Sequence, residues 1–429
     1  MPGFLWGAAT SSHQVEGSNT KNDWWAWEQE GRVKDSSGIA CDHFQRFRED
    51  IQMIADLGHN AHRFSLEWSR LEPSEGQWDQ SAFDHYLEIF KELHRRGIEP
   101  VVTLHHFTNP LWFSQKGGWL NPESIIIFTR YVSRVTQAFS PYVRYWITIN
   151  EPLVYLYFGF IEGSWPPGIK SIHAGLKVLY HLIHAHVQAY RVIHQYYEDV
   201  IKTPVWVSIA KHMSCFTPAR KDSFMDRVSV HLRNWFFNDL MITALHTGFL
   251  FFPGVFCEYL PLKNTLDFIG VNYYTRDFIR FKGWSLMNIL GDLDDKALHE
   301  NEVKELNVMG WEVFPDGLYH VLKRLRRYKL PVMIMENGIC AKDDEQRVRF
   351  IQDHLAALKR AASEGVEIGG YFYWSLLDNF EWAHGFGPRF GIVEVDYATQ
   401  IRIIRKSAYV LSESCRNLVN ERVHAERSF

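Results

Sequence analysis

The sequence predicts an α/β fold, a (β/α)8 barrel in which a helix follows each strand. Short, almost entirely apolar segments alternate with longer amphipathic segments eight times along the 429 residues. The amphipathic segments end at glycine, and the next apolar segment begins within a few residues. This pattern is typical of parallel strands that helices bury on both faces. A doubly wound open sheet is the alternative, but eight repeats in one chain favour the closed barrel.

The apolar segments give the positions of the eight strands. They are predicted near residues 4–9, 60–66, 99–105, 144–150, 205–210, 267–273, 331–336 and 368–374. The remaining length lies in extended loops that follow strands, predicted at 11–40, 106–122, 151–172 and 275–314. Because no Ser-, Gly- or Pro-rich linker interrupts the pattern, residues 1–429 are expected to form a single barrel domain.

Glycines mark the predicted helix ends. "HFQRFREDIQMIADLG" ends at Gly58, "SAFDHYLEIFKELHRRG" at Gly97 and "EQRVRFIQDHLAALKRAASEG" at Gly365. Glycine adopts the left-handed backbone conformation just past a helix terminus without a Cβ clash, so a helix is predicted to stop before each of these residues.

Composition narrows the class of partner. Lys plus Arg is 46, Asp plus Glu is 50, the net charge is -4, and no basic block is present. Nucleic acid and anionic membranes are therefore not expected as partners, and a small neutral molecule is expected instead.

The five cysteines are scattered without a CxxC pair, no run approaches the ~18 apolar residues of a membrane span, and the N-terminus lacks a signal-peptide pattern. Reduced thiols, a cytoplasmic location and no cofactor or metal are expected, and the oligomeric state is left open.

Polar and aromatic residues collect at the ends of the predicted strands. Barrel strands deliver catalytic groups at their carboxyl ends, which meet at one rim. All strands except the fifth provide candidates in or just after the strand: Gln14, Arg63, His106, Asn150, Glu151, Asn272, Tyr274, Glu336, Trp374, Glu381 and Trp382. This rim is the predicted active site.

Two of these residues are glutamates that end apolar strands beside an asparagine. "TINEP" contains Asn150 and Glu151, and "IMENG" contains Glu336. A single strand-end glutamate is usually a solvated loop residue, but two facing carboxylates without metal ligands predict glycoside hydrolysis, either retaining or inverting. If Arg63 and Tyr274 lie near Glu336, they favour its charged form. Glu336 is therefore the predicted nucleophile and Glu151 the predicted acid/base.

Seven motifs resemble those of glycoside hydrolase family 1, and of bacterial β-glucosidases in particular, over Phe4 to Ser412. They occur in family order as "FLWGAATSSHQVEG", "NAHRFSLEWSRLEP", "TINEP", "GVNYYT", "MGWEVFPDGL", "IMENG" and "YWSLLDNFEW". The resemblance implies a retaining exo-β-glycosidase that acts on terminal β-D-glucosyl residues of small glycosides or short oligosaccharides. Galactosyl and fucosyl residues are further candidates.

The resemblance also implies a role for each matching position. Glu151 corresponds to the acid/base and Glu336 to the nucleophile, which Arg63 and Tyr274 hold. Other matching residues contact the sugar: Gln14, His106, Asn150, Asn272 and Glu381 by hydrogen bonds, Trp374 as the platform under the ring with Trp382 beside Glu381, and Trp311 on the leaving-group side.

One position departs from the family pattern. The chain reads "HHFTNP", so Phe107 stands where the family commonly has tryptophan. Because phenylalanine has no N–H donor, one contact to the sugar is in doubt and the preference among sugars is expected to be relaxed.

Three other functions are considered. A non-catalytic sugar-binding relative would lack one catalytic glutamate, and a thioglucoside hydrolase would carry glutamine at the acid/base position. The presence of both Glu151 and Glu336 argues against each. A metal-dependent barrel hydrolase would need a clustered set of ligands, which the sequence lacks.

Overall fold

A computed structural model describes residues 3–285, 288–301 and 303–426. Within these residues, eight parallel strands close into a barrel, which rules out the open sheet. The strands are β1 (Leu5–Ala9), β2 (Ala61–Ser65), β3 (Glu99–His105), β4 (Tyr145–Asn150), β5 (Trp206–His212), β6 (Ile269–Asn272), β7 (Val332–Asn337) and β8 (Ile368–Trp374). Each pairs with its neighbours in sequence, and β8 pairs with β1 to close the ring.

Helices surround the barrel, one after each strand. They are α1 (His43–Asp56), α2 (Gln80–Arg95), α3 (Ser124–Phe139), α4 (Ile172–Tyr196), α5 (Phe224–Arg233, continued through the π-helical segment Asn234–Asp239 into Leu240–Thr247), α6 (Pro315–Leu325), α7 (Asp344–Ser363) and α8 (Lys406–Glu426). A further π-helical segment, Tyr197–Ile201, extends α4. None of the helices in the described residues is both long and apolar enough to cross a membrane.

The loops carry short elements of their own. The additional helical segments are Ser12–Val15, Asp23–Gln29, Trp68–Leu71, Leu111–Gln115, Gly118–Leu120, Pro152–Leu156, Tyr157–Glu162, Asn288–Leu290, Lys296–Glu300, Arg326–Tyr328 and Trp382–His384. The additional strands are Cys215–Pro218, Phe249–Phe252, Phe256–Tyr259, Arg276–Arg280, Asp292–Leu293, Val393–Val395 and Arg402–Ile404. The strand Cys215–Pro218, just after β5, pairs in parallel with Arg276–Arg280, just after β6.

The predicted strands agree with the observed ones in position and order. The largest differences are at β5, which was expected to end at residue 210 and runs on to His212, and at β6, which was expected to begin at residue 267 and begins at Ile269. The predicted helix ends are confirmed at Gly58 and Gly97, whose φ angles are +71° and +68°.

Buried apolar side chains form two main clusters. The larger one lies between strands and surrounding helices and includes Trp6 and Phe64. The other contains alternate strand residues, such as Tyr145 and Ile147 of β4, as expected for side chains that fill the barrel interior. The interior is therefore packed below the rim, and the polar groups lie at its carboxyl end.

Candidate active site

Glu151 and Glu336 both lie at the carboxyl-terminal rim of the barrel. Glu336 is the penultimate residue of β7, and it pairs with Asn272 of β6. Glu151 follows the last residue of β4 and precedes the helix Pro152–Leu156, with φ 44° and ψ 57°. This left-handed conformation costs a non-glycine residue about 1–2 kcal/mol. Such local strain is retained where the surrounding structure fixes a functional side chain.

Glu336 is held through both carboxylate oxygens. Arg63 Nη1 donates to Oε1 at 2.6 Å, and the Tyr274 hydroxyl donates to Oε2 at 2.7 Å. The Arg63 side chain is fully buried and that of Glu336 is 5% exposed. Burial and the charges of Glu336 and Glu151 raise the pKa of Tyr274 well above its usual value, so its hydroxyl remains a donor.

Glu151 is held through one oxygen. Asn272 Nδ2 donates to Oε1 at 2.9 Å, and His212 Nδ1 lies 3.2 Å from the same oxygen. Among the described residues, no hydrogen-bond donor reaches Oε2. This second oxygen is available to a proton and to a ligand atom.

Arg63 and Asn150 join the two carboxylates into one network. Arg63 Nη2 donates to Asn150 Oδ1 at 2.7 Å, and Asn272 Nδ2 donates to the same oxygen at 3.2 Å. Arg63 also donates to Thr103 and to the Met335 carbonyl. The guanidinium is thus bonded from four directions, which fixes its position relative to Glu336.

The pKa values of the two carboxyls move in opposite directions. Burial raises the pKa of Glu336 to about 7; the charge of Glu151 adds to this, whereas Arg63 and Tyr274 oppose it. Burial also opposes ionisation of Glu151, but the hydrogen bond and charge of His212, with Asn272 and Arg63, lower its pKa. Arg63 and Tyr274 favour the charged form of Glu336, as expected from the sequence, but burial outweighs both donors in the empty site.

A third carboxyl group, Glu381, lies in the same site. Gln14 Nε2 donates to Glu381 Oε2 at 3.2 Å and to Asn379 Oδ1 at 3.0 Å. The Ser11 hydroxyl donates to Gln14 Oε1 at 2.6 Å, so the Gln14 amide is fixed. Burial, and then the charges of Glu336 and Glu151, raise the pKa of Glu381 to about 8. Gln14 and Glu381 therefore form a polar wall close to both glutamates at the strand ends.

Two buried polar atoms in this site have no partner among the described residues: His106 Nδ1 and Asn272 Oδ1. Asn150 Nδ2 donates to His106 Nε2 at 3.2 Å, which leaves the proton of the neutral imidazole on Nδ1. Burial and the charge of Arg63 keep the pKa of His106 well below its usual value. The site thus presents an unused donor and an unused acceptor, which a ligand rich in hydroxyl groups can satisfy.

Aromatic side chains line the rest of the site. Trp374 and Trp382, both 4% exposed, lie on either side of His106 with ring centroids 5.9 and 6.2 Å away. Phe107 packs edge-on against Trp382 at 5.3 Å, so this position makes an apolar ring contact and offers no hydrogen-bond donor. Trp311 lies on another side, 5.9 Å from the ring of Tyr274.

Hydrogen bonds and ring contacts connect ten of the residues predicted from the sequence. The other two, Gln14 and Glu381, are linked to the two glutamates at the strand ends through the charges of the carboxyls. His212 was missed, because the predicted fifth strand stopped two residues too early. The signal was the polar pair Lys211-His212 at the end of an apolar run. Among the described residues, no group of three or more His, Cys, Asp or Glu side chains is arranged to hold a metal ion.

Comparisons with known proteins agree with this geometry. The family model described as glycosyl hydrolase family 1 matches residues 1–418. The chain is 35% identical to beta-glucosidase A of Thermotoga maritima, over 97% of each chain. It is similar to the solved beta-glycosidase from Pyrococcus horikoshii, with a TM-score of 0.88 and 42% identity over 96% of this chain and 93% of that one. The Thermotoga maritima beta-glucosidase in complex with glucoimidazole gives a TM-score of 0.87 and 33% identity over 97% and 98% of the chains.

Proposed function

Since this chain belongs to glycosyl hydrolase family 1, we propose that it is a retaining exo-β-glycosidase that removes terminal non-reducing β-D-glucosyl residues. Its substrates are small β-glycosides and short oligosaccharides, with galactosyl and fucosyl residues as further glycones. Residues 1–429 act as one catalytic domain.

Two buried glutamates, held in unlike ways at the ends of β4 and β7, carry this proposal. Both oxygens of Glu336 accept hydrogen bonds, from Arg63 and Tyr274, which orient the carboxylate and favour its ionised form. Glu151 has a free Oε2 for a proton. Because two carboxylates so close together repel each other, the pair retains one proton near neutral pH. Although burial raises the pKa of Glu336 in the empty site, we assign this proton to Glu151 Oε2 in the substrate complex, because donors occupy both oxygens of Glu336, whereas none of the described residues donates to Oε2 of Glu151.

The reaction then takes two steps. Glu336 attacks the anomeric carbon while Glu151 transfers its proton to the glycosidic oxygen, so the glycosidic bond breaks and a glycosyl ester forms on Glu336. In the second step, ionised Glu151 takes a proton from water, the water oxygen attacks the anomeric carbon, and the ester bond breaks. Two inversions leave the β configuration unchanged.

The polar wall and the aromatic residues give the sugar its orientation. Gln14, His106, Asn150 and Glu381 bond the hydroxyls, with the unpartnered His106 Nδ1 as one donor. Asn272 Oδ1 is one unused acceptor. Trp374 underlies the ring, with Trp382 beside it, which suits the apolar face of a pyranose. Trp311, beyond Tyr274, contacts the leaving group.

Phe107 affects how strictly the enzyme selects the sugar that it removes. Its side chain is 3% exposed and contacts Trp382 without offering a hydrogen bond to the sugar. A site with one donor fewer discriminates less between sugars that differ in a single hydroxyl group. Glucosides, galactosides and fucosides are therefore expected to be hydrolysed with kcat/KM values closer together than a tryptophan at this position would allow.

The test is a panel of aryl β-glycosides together with cellobiose, with kcat/KM measured for each and the first-formed sugar anomer observed by ¹H NMR. Hydrolysis of the glucoside with β-glucose formed first is the expected result. Appearance of α-glucose first would overturn the retaining mechanism, and no hydrolysis of any β-glycoside would overturn the function.

A further inference from the structure

His212 touches Glu151 but has no part in the two steps described above. It is the last residue of β5, and its Nδ1 lies 3.2 Å from Glu151 Oε1. Its ring stacks on Tyr274 with centroids 6.0 Å apart and planes inclined by 13°. Phe237 meets the ring edge-on at 5.8 Å. The imidazole thus contacts the rings of Tyr274 and Phe237, and its Nδ1 faces the acid/base.

The other nitrogen of His212 leads away from the site. Ser214 Oγ lies 3.3 Å from His212 Nε2. Asp277, a half-buried carboxyl, lies next: burial raises its pKa, and a hydrogen bond with the Ser214 side chain opposes this. The contacts therefore form one chain, Glu151–His212–Ser214–Asp277, which starts at the acid/base and ends outside the barrel.

Backbone pairing holds the outer part of this chain in place. Ser214 immediately precedes the strand Cys215–Pro218, and Asp277 lies in its partner Arg276–Arg280, opposite Phe216. Asn238 also brackets Ser214: its Oδ1 accepts from the Ser214 N–H at 3.3 Å, and its Nδ2 donates to the Ser214 carbonyl at 2.9 Å. Ser214 and Asp277 are consequently fixed by main-chain contacts from separate elements.

One arrangement of protons lets His212 donate to Glu151. The Ser214 hydroxyl donates to His212 Nε2, and His212 Nδ1–H donates to Glu151 Oε1. The hydrogen bond on one imidazole nitrogen decides what the other offers. Because burial raises the pKa of Asp277, its carboxyl can in turn donate to the Ser214 oxygen.

We propose that His212 is a positioning residue for the acid/base, with its imidazole oriented by Ser214 and Asp277. The inference rests on the proposed function. With Oε1 occupied by His212 and Asn272, the proton of Glu151 is confined to Oε2, where the substrate lies. In the second step, His212 Nδ1–H donates to ionised Glu151 and stabilises this form, which takes a proton from water.

Other charged or titratable groups act on the same carboxyls, and any pH dependence contains their contributions. Arg63, Glu336 and Glu381 face Glu151 or its partner carboxylate, and Lys211, on the same strand as His212, also attracts Glu151. Tyr274 packs on the His212 ring, and Arg233 and Asp295 act on Asp277. None of these groups is altered by a change at His212, so a difference between variant and parent isolates its effect.

The glycosyl-enzyme is the state in which the effect is cleanest, because Glu336 is then esterified and only Glu151 of the pair titrates. The measurement is the pH profile of kcat for 2,4-dinitrophenyl β-glucoside, and the quantity compared is the pH of its acidic limb. The good leaving group of this substrate makes the second step rate-limiting. His212 lowers the pKa of Glu151, so its removal raises that pKa. His212→Phe, which keeps the ring stacking, should move the acidic limb to higher pH by roughly 1 unit. Ser214→Ala and Asp277→Asn should move it in the same direction by less.

His184→Phe is the matched control. This half-buried histidine also contacts a glutamate, Glu258 at 2.9 Å, but it lies on α4 away from the rim, and the limb should stay in place. If His212→Phe does not fold, His212→Leu, which also lacks the donor, should give the same shift. An unmoved limb in a folded, active His212 variant would overturn the inference. A shift for His212 variants but none for Asp277→Asn would overturn the role of Ser214 and Asp277. Neither result bears on the proposed function, which fails only if the parent enzyme forms no glycosyl-enzyme or releases α-glucose.

Discussion

Glu336 and Glu151 are the same residue type at the ends of two barrel strands, yet their surroundings differ. Both oxygens of Glu336 accept hydrogen bonds, from the guanidinium of Arg63 and the phenol of Tyr274, and neither donor can take a proton from the carboxyl. Only Oε1 of Glu151 is contacted, by the amide of Asn272 and the imidazole of His212, and among the described residues no donor reaches Oε2. Hydrogen-bond geometry therefore separates the two roles, since burial alone pushes both pKa values upward.

The largest effect is expected from Glu336→Gly. Without the nucleophile no glycosyl-enzyme forms, so kcat/KM should fall on every substrate by more than the ~10²–10⁴-fold that loss of a general acid costs. The measurement is kcat/KM over aryl and alkyl β-glucosides. Glu16→Gly is the control, because buried Glu16 also accepts from an arginine and a tyrosine, Arg70 at 2.8 Å and Tyr86 at 2.6 Å. A loss of equal size in the Glu16 variant, at a temperature where both are folded, would show that the effect is structural.

A smaller and selective loss is expected from Glu151→Gly. An acidic phenol leaves without protonation, whereas an alkoxide needs the proton that Glu151 supplies. The rate of the first step, followed as the burst of released phenol, should be nearly unchanged for 2,4-dinitrophenyl β-glucoside. For methyl or octyl β-glucoside, kcat/KM should fall by about 10²–10⁴. Equal losses on both kinds of substrate would contradict the assignment of Glu151 as the acid.

Glu381→Ala is expected to distinguish sugars. We expect the Glu381 carboxylate to accept hydrogen bonds from O4 and O6 of glucose. A fucoside has no O6 hydroxyl, so the substitution removes one hydrogen bond fewer from a fucoside than from a glucoside. A hydrogen bond to a charged group is worth about 1.5–3 kcal/mol, so glucoside hydrolysis should lose roughly 10- to 100-fold more kcat/KM than fucoside hydrolysis. Equal losses on the two aryl glycosides would show that Glu381 does not contact O6.

The smallest expected effect is on the stability of the empty enzyme. The pKa of Glu381 is raised from the usual 4.5 to about 8, mainly by burial and by the charges of Glu336 and Glu151. The stability gained from its protonated form is fully present below about pH 4.5 and is lost as pH rises through about 8. Glu381→Gln is neutral at every pH, so its Tm relative to the parent should increase between pH 5 and pH 8. A difference in Tm that stays constant over this range would contradict the raised pKa.

Much of the fold could be predicted from the sequence, since parallel strands covered by helices leave a period that is easy to recognise. The apolar runs placed six strands to within one residue at each end, and the glycines marked the helix ends. β5 was cut short because its last residues, Lys211 and His212, are polar. A strand that continues into the rim of an active site necessarily loses its apolar pattern there, so sequence reasoning is least accurate where the chemistry lies.

The candidate site was predictable in its residues but not in its electrostatics. The strand ends identified Arg63, Tyr274 and both glutamates, because residues at one barrel rim must converge. The direction in which the pKa of Glu336 shifts was not predictable, since it depends on how completely the carboxyl is buried and how near Glu151 lies. The unused His106 Nδ1 could not be foreseen either, because it follows from which nitrogen Asn150 engages.

Azide rescue of the two glycine variants with 2,4-dinitrophenyl β-glucoside distinguishes Glu336 as the nucleophile from Glu151 as the acid/base. In Glu336→Gly, azide enters the cavity opposite the leaving group, and its single displacement should yield α-glucosyl azide. In Glu151→Gly, the glycosyl-enzyme still forms, and azide, which needs no deprotonation, should release the sugar as β-glucosyl azide. NMR of the two products gives the answer. Opposite anomers in this sense are the predicted result, and β-glucosyl azide from the Glu336 variant would show that the two roles are reversed.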